Sequence, residues 1–365
     1  MSLTFSLTAC TDSFKKFLSD SKKEVKAALD EAKEILKNPD INNFSDTFSA
    51  TEEDINEDVK EDTEITENSI NIINRNLSEI ITNTNHKTIS SQDFLQFSTL
   101  NEKEKKLYNV FVYSAINLTN VVNVKYLKFP VDDIEHVYKK FCADNPQFFY
   151  IARNFAYSYD KTNNTVVKIL LYFTDGKTTD VIDENGKLTT TADRDSIQNK
   201  INYLNNAVAD ILKNIPADTN DVLKEKAIHD ILCDIVTYDK SIDISKIKPG
   251  ETISDVFNAY GAICEGKAVC EGYTKAFQYL SYLVGINASR VSGESESVGH
   301  MWNSVSINGV WYHIDVTWDD VESKKKKLRY AYFNLTTKQI EKDHTITDEF
   351  LYVPKCDTKF NNIYF

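Results

Sequence analysis

The stretch 266–318 constrains this chain more than any other. It runs Gly266-Lys-Ala-Val-Cys270-Glu-Gly-Tyr-Thr-Lys-Ala-Phe277, then Gly299-His300-Met-Trp-Asn303, then Trp311-Tyr-His-Ile-Asp315-Val-Thr-Trp318. After Cys270, apolar residues recur at Tyr273, Ala276, Phe277, Leu280 and Leu283, the spacing of a half-buried helix over Glu271–Val284. Gly285 is a stop just past it. Cys270 therefore stands at or just before the first turn, where free N–H groups and the positive end of the helix dipole favour an anion. A thiol so placed can ionise at lower pH, and the thiolate is the reactive form. A buried structural cysteine fits the same position.

Asn308-Gly309 is a strong hairpin signal, a two-residue type I′ turn. Closing the hairpin there sets Ile307 against Val310, Trp302 against Asp315 and His300 against Thr317. One face then carries His300, Trp302, Ser304 and Ser306 with Trp311, His313, Asp315 and Thr317. The other carries Met301, Val305 and Ile307 with Val310, Tyr312, Ile314 and Val316 and reads as core. His300 and Asp315 become diagonal neighbours, roughly 7 Å apart at the backbone and within side-chain reach. In that arrangement a carboxylate holds an imidazole in one tautomer while the other ring nitrogen faces a thiol.

These three segments resemble the core motifs of the transglutaminase-like superfamily, in order and at short spacings, over about 221–320. The resemblance implies an α+β fold with a papain-like core, in which a Cys-headed helix packs on an antiparallel sheet bearing His and Asp. It implies Cys270 as nucleophile, His300 as general base and acid, and Asp315 as orienter. The helix over 221–238 resembles the segment that precedes the Cys helix in bacterial members, and Tyr332-Phe333-Asn334 through Asp343-His344 their C-terminal continuation. Met301 stands where many members carry Ala, and Val316 where many carry Pro; neither change removes a chemical group. The chemistry expected is cysteine-dependent acyl transfer or hydrolysis on protein or peptide amides through a thioester. The alternative is a non-catalytic surface or structural module that keeps the fold.

At 365 residues there is room for more than one domain. A net charge of −13 argues against nucleic acid as a partner. Six cysteines without a Cys-x-x-Cys pair argue against a zinc ribbon or a redox dithiol. The six histidines show no metal-ligand spacing, so no metal and no cofactor is expected. The expected partner is a protein or peptide substrate, with cell-wall-associated ones among the candidates.

Leu7-Thr8-Ala9-Cys10 resembles a bacterial lipobox, with Met1-Ser2-Leu3 read as an expression scar on a truncated signal. Cys10 is then the lipid anchor of a native lipoprotein on the outer face of the membrane, with residues 1–12 its signal remnant. A cytoplasmic chain with an ordinary Cys10 is the other reading.

Residues 13–92 read as a helical and acidic stalk, with a helix over 13–38, an acidic linker over 42–67 and a docking helix over 68–81. Residues 93–192 read as an α+β support region: helices over 102–124 and 131–143, then strands over 148–159 and 166–173. Residues 193–365 form the expected catalytic domain, opening on a helix over 193–215. Trp302, Trp318 and Tyr273 are candidates for the substrate cleft, with packing as the plain alternative. The loop 293–299 is a candidate for its border. Cys264 and His229 read as core residues, His313 as a less suitable base than His300, and Lys324–Lys327 as a solvated loop tip.

Overall fold

The hairpin that the Asn308-Gly309 turn announces is the centre of the main sheet. Asn308 and Gly309 both take positive φ, +50° and +81°, as the type I′ turn requires. The computed structural model describes residues 63–81, 84–182, 188–242, 254–295, 298–321, 330–348 and 350–361. Cys10, the expected helix over 13–38, most of the acidic linker and Lys324–Lys327 lie outside these residues.

The N-terminal part opens on α1 (Thr63–Ile80), followed by α2 (Glu102–Ile116). A three-stranded antiparallel sheet has the order β1 (Val121–Asn123), β3 (Thr165–Phe173), β2 (Ile151–Asp160), and α3 (Ile134–Asp144) precedes β2. Helix α1 starts inside the segment read as linker. The helix expected over 102–124 stops at Ile116: Leu118 turns left-handed, with φ +49°, and Val121 and Val122 pair with β3. Their branched side chains suit a pleated surface better than a helix.

The C-terminal part has α4 (Arg194–Leu212) and α5 (Asp221–Ile235). The N-cap of α4 is Asp193, whose carboxylate accepts from the N–H groups of Asp195 and Ser196. Instead of running on to Tyr238, α5 ends at Ile235. Thr237 and Tyr238 form β4, parallel to β5 (Lys267–Ala268), which leads directly into α6 (Cys270–Leu283). Four antiparallel strands follow in the order β8 (Val310–Ile314), β7 (Val298–Ile307), β6 (Ala288–Ser295), β9 (His344–Ile346).

Helix α6 is more deeply set than its amphipathic spacing suggests. Gly272, Thr274, Gln278 and Ser281 are buried alongside the apolar face. Gln278 Nε2 donates to the carbonyls of Ala143 and Ala288, and Thr274 Oγ1 donates to the Met301 carbonyl at 3.0 Å, while Gln278 Oε1 and Ser281 Oγ are buried without a partner among the described residues. Asn303 Nδ2 returns a bond to the Thr274 carbonyl at 3.1 Å. These bonds fix α6 on β7. The architecture is α+β with a papain-like core. One hydrophobic core runs from Ile73 through Phe111, Phe173, Phe277 and Tyr282 to Phe333. Among the described residues, no helix is long and apolar enough to cross a membrane.

The β7–β8 register follows the turn: Val310 opposes Ile307 and Ile314 opposes Asn303. It departs from expectation after Ile314. The strand stops there, and α7 (Val316–Val321) begins. Asp315 caps that turn, its Oδ1 accepting from the Trp318 N–H at 3.1 Å. Thr317 therefore lies in the helix and does not oppose His300. His300 pairs on its other side with Gly293 of β6. Residues 293–295 accordingly close β6, and residues 298 and 299 open β7.

The face read as polar is also buried. The C-terminal segment covers it, and Trp302 packs with Val291 and Ile340 in a second small core.

Candidate active site

Three elements converge on one point. The N-terminus of α6 supplies Cys270, the beginning of β7 supplies His300, and the junction between β8 and α7 supplies Asp315. His300 Nε2 lies 2.7 Å from Asp315 Oδ2. The Cys270 thiol stands close enough to the same imidazole to favour its charged form. Burial by itself depresses the His300 imidazole, but the charge and hydrogen bond of Asp315, with the Cys270 thiol, hold it up at about 10. Burial likewise pushes against the Asp315 carboxylate, yet His300 and then His344 keep it well below the usual carboxylate range. The result is a charged imidazole–carboxylate pair set behind a sulfur.

Helix α6 begins without a side-chain cap, so its first N–H groups lack intrahelical partners. Tyr238 stands beside them. Its residue opposes Ala268, two positions before Cys270, in the β4–β5 pair. Burial first, then the charges of Cys270 and Asp315, raise its phenol to about 12, so it stays protonated. Its hydroxyl has no hydrogen-bond partner among the described residues.

His344 is the second residue that sequence reasoning did not assign to the site. Its Nε2 lies 3.1 Å from the same Asp315 Oδ2 that holds His300, and its Nδ1 lies 2.6 Å from Asp343 Oδ1. The signal was the Asp343-His344 pair in the C-terminal continuation; for Tyr238 it was the Thr-Tyr-Asp step after α5.

The remaining candidates take up packing positions. Trp302 is 1% exposed, stacks on His300 at 6.0 Å and donates its indole N–H to His313 Nδ1 at 3.2 Å. Tyr273 is 0% exposed, and its hydroxyl bonds to Asp320. This corrects the cleft reading for both residues: on a helix buried nearly all round, Tyr273 points into the core, and Trp302 is capped by the C-terminal segment. Trp318, half-buried, lies 6.1 Å from His300 and 4.9 Å from His344, ring centre to ring centre.

His313 is fully buried and bonds to Thr337, and burial with the nearby His344 charge holds it down at about 4. It sits outside the Cys270 group. His229 is a satisfied core histidine between Asp230 and Asp319. Cys264 and Cys270 are both free thiols.

Among the described residues, the group of His, Cys and carboxylate ligands close enough to hold a metal ion is His300, Asp315 and His344, with ligand atoms within 4.8 Å of one another. Both Nε2 atoms are already hydrogen-bonded to Asp315 Oδ2, so a metal there would compete with the contact that holds His300.

Residues 207–316 match the family model of the transglutaminase-like superfamily. Two curated relatives carry the name kyphoscoliosis peptidase. The mouse protein is 25% identical over 143 residues, 35% of this chain and 20% of its own length. The human protein is 26% identical over 150 residues, 36% and 21%. This chain thus spans about a fifth of the length of those relatives.

Two solved structures also share a segment. One, from Cytophaga hutchinsonii and named as a cysteine protease, is 19% identical with a TM-score of 0.25, covering 42% of this chain and 51% of that one. The other, named as a TGase, is 16% identical with a TM-score of 0.28, covering 42% and 41%.

Proposed function

We propose, from the premise that residues 207–316 belong to the transglutaminase-like superfamily, that this protein performs cysteine-dependent acyl transfer on peptide or protein amides. The observation that carries the reading is His300 held to Asp315 at 2.7 Å with the Cys270 thiol beside the same ring. In this reading the Cys270 proton already rests on His300 as a thiolate–imidazolium pair, and the sulfur attacks the amide carbonyl carbon. The C–N bond breaks as the imidazolium passes its proton to the leaving amine, and a thioester remains. A second nucleophile, activated by the now neutral His300, then resolves it. The backbone N–H of Cys270 and the Tyr238 hydroxyl are the donors suited to the developing oxyanion. Asp315 keeps the ring oriented throughout, and His344 steadies Asp315 through the same Oδ2.

We take water as the acceptor, in keeping with the name peptidase carried by the mouse and human relatives. The test is incubation with casein and a fluorescent primary amine. A hydrolase releases ammonia or new α-amines without incorporating the probe, and Cys270→Ala abolishes the release. Probe incorporation that needs Cys270 instead makes the protein a cross-linker. Product formation that survives Cys270→Ala sinks the reading.

A second reading, a non-catalytic module, has one observation in its favour: Cys270 is only 5% exposed. A module of that kind leaves casein untouched and Cys270 no more reactive than an ordinary thiol.

A further inference from the structure

A cleft of ≈ 510 Å³ reaches the residues that follow Cys270 and His300 in the chain, within the size range of sites that take small ligands or short peptide segments. It is walled by α3, the start of β2, α6, β6 and the segment after β9. Two lining residues are chain neighbours of the site, Glu271 after Cys270 and Met301 after His300, although Cys270 and His300 do not line the cleft themselves.

Its charge runs against that of the protein. The chain carries −13 overall, yet the charged residues lining the cleft are Lys139, Arg153, Lys275 and Arg290 against Glu271 and Asp348. Most of these cations are already matched. Lys139 pairs with Glu135 at 2.7 Å, and Arg153 and Lys275 share Glu271.

Arg290 is different. It has no ion pair among the described residues, and its Nε is buried without a hydrogen-bond partner. A partly desolvated guanidinium with an unused donor is costly unless something satisfies it, and its planar fork matches a carboxylate. Glu271 does not fill that role for an incoming cation, because it is already flanked by Lys275, Arg153 and Arg290. At the rim, the ring of Phe350 lies 3.4 Å from the Lys139 Nζ and is 38% exposed, so an apolar surface adjoins the cationic one.

We propose that this cleft seats an acidic segment of the peptide substrate, with Arg290 receiving a side-chain carboxylate. The inference rests on the thioester reading above only in calling the bound peptide a substrate; the binding itself requires no turnover.

The test uses the full chain with Cys270→Ser, titrated calorimetrically with three capped hexapeptides that differ only in carrying Glu, Gln or Lys at alternate positions. The Glu peptide should bind at least about tenfold more tightly than the Gln peptide, and the Lys peptide more weakly than either. Raising the salt should compress the difference. Arg290→Gln should abolish the preference and Arg290→Lys should keep part of it. Lys139→Gln, at the rim, should reduce it by a smaller factor and serves if Arg290→Gln fails to fold.

In the wild-type chain the Glu peptide should also slow alkylation of Cys270. Equal binding of the three peptides, or a preference that survives Arg290→Gln in a folded protein, overturns the proposal. Either result leaves the thiol chemistry untouched. An unreactive Cys270 with the acidic preference intact sinks the thioester reading and keeps the cleft.

Discussion

Asp315 does three things with two oxygens. Oδ2 holds the imidazoles of His300 and His344, and Oδ1 caps the helix that follows. The state of His300 therefore depends on a single carboxylate. Burial favours the neutral ring, Asp315 favours the charged one, and Asp315 prevails. Because the folded-state value lies above the ordinary one, the pair's contribution to stability is fully present below pH about 6.5 and is lost as pH rises through about 10. Removing the carboxylate charge leaves burial unopposed. Nitrogen-15 NMR of the His300 ring should show it protonated through about pH 9 in the wild type, and titrating below about 6.5 in Asp315→Asn. A wild-type ring that titrates near the ordinary value would contradict this electrostatic balance.

At the scale of elements, β6 serves the site without supplying any of its chemistry. Gly293 lies opposite His300 on one side and Ile346 of β9 on the other. A Cβ at position 293 would come within 2.0 Å of the Thr345 carbonyl oxygen and 2.9 Å of the Trp302 ring. Gly293→Ala must then push β9 away, and His344 begins β9. We expect a loss of about 1–3 kcal/mol in stability by denaturant titration, together with slower Cys270 alkylation. Full stability in this variant would mean that β9 is not held as described.

The hairpin and the Cys helix were legible because short-range chemistry fixes them: Asn308-Gly309 admits few turns, and Tyr273, Ala276, Phe277 and Leu280 recur at helical spacing. The end of β8 was missed because alternation carries through Val316, whereas Asp315 is also an N-cap residue, the competing signal that prevails. The burial of Trp302 and the entry of His344 depend on chain 30 to 40 residues further on folding back over the sheet, and no local pattern around Trp302 reports that.

Over the whole molecule, buried carboxyls set the pH response. Burial is the first cause that raises Asp144 to about 7, Glu225 to about 8 and Asp319 to about 6. Each is raised on folding, so its contribution is fully present below the ordinary carboxyl range of about 4 and is lost as pH climbs through those values. Asp175 runs the other way, held at about 2 despite burial by the N–H groups of Thr178 and Asp193; its contribution is present above the ordinary value and lost in acid. The melting temperature should therefore peak near pH 5 and fall toward pH 8.5. Glu225→Gln should flatten that fall and be more stable than wild type at its alkaline end. A melting temperature that rises steadily to pH 8.5 in the wild type would contradict the balance.

The whole account turns on Cys270 being an activated thiol, and alkylation by iodoacetamide near neutral pH with peptide mapping reads this directly. Cys270 should be labelled at least about tenfold faster than Cys142, Cys233, Cys264 or Cys356, and His300→Ala should bring it down to their rate. Labelling of Cys270 no faster than a free thiol in solution, or a rate unchanged by His300→Ala, would contradict it.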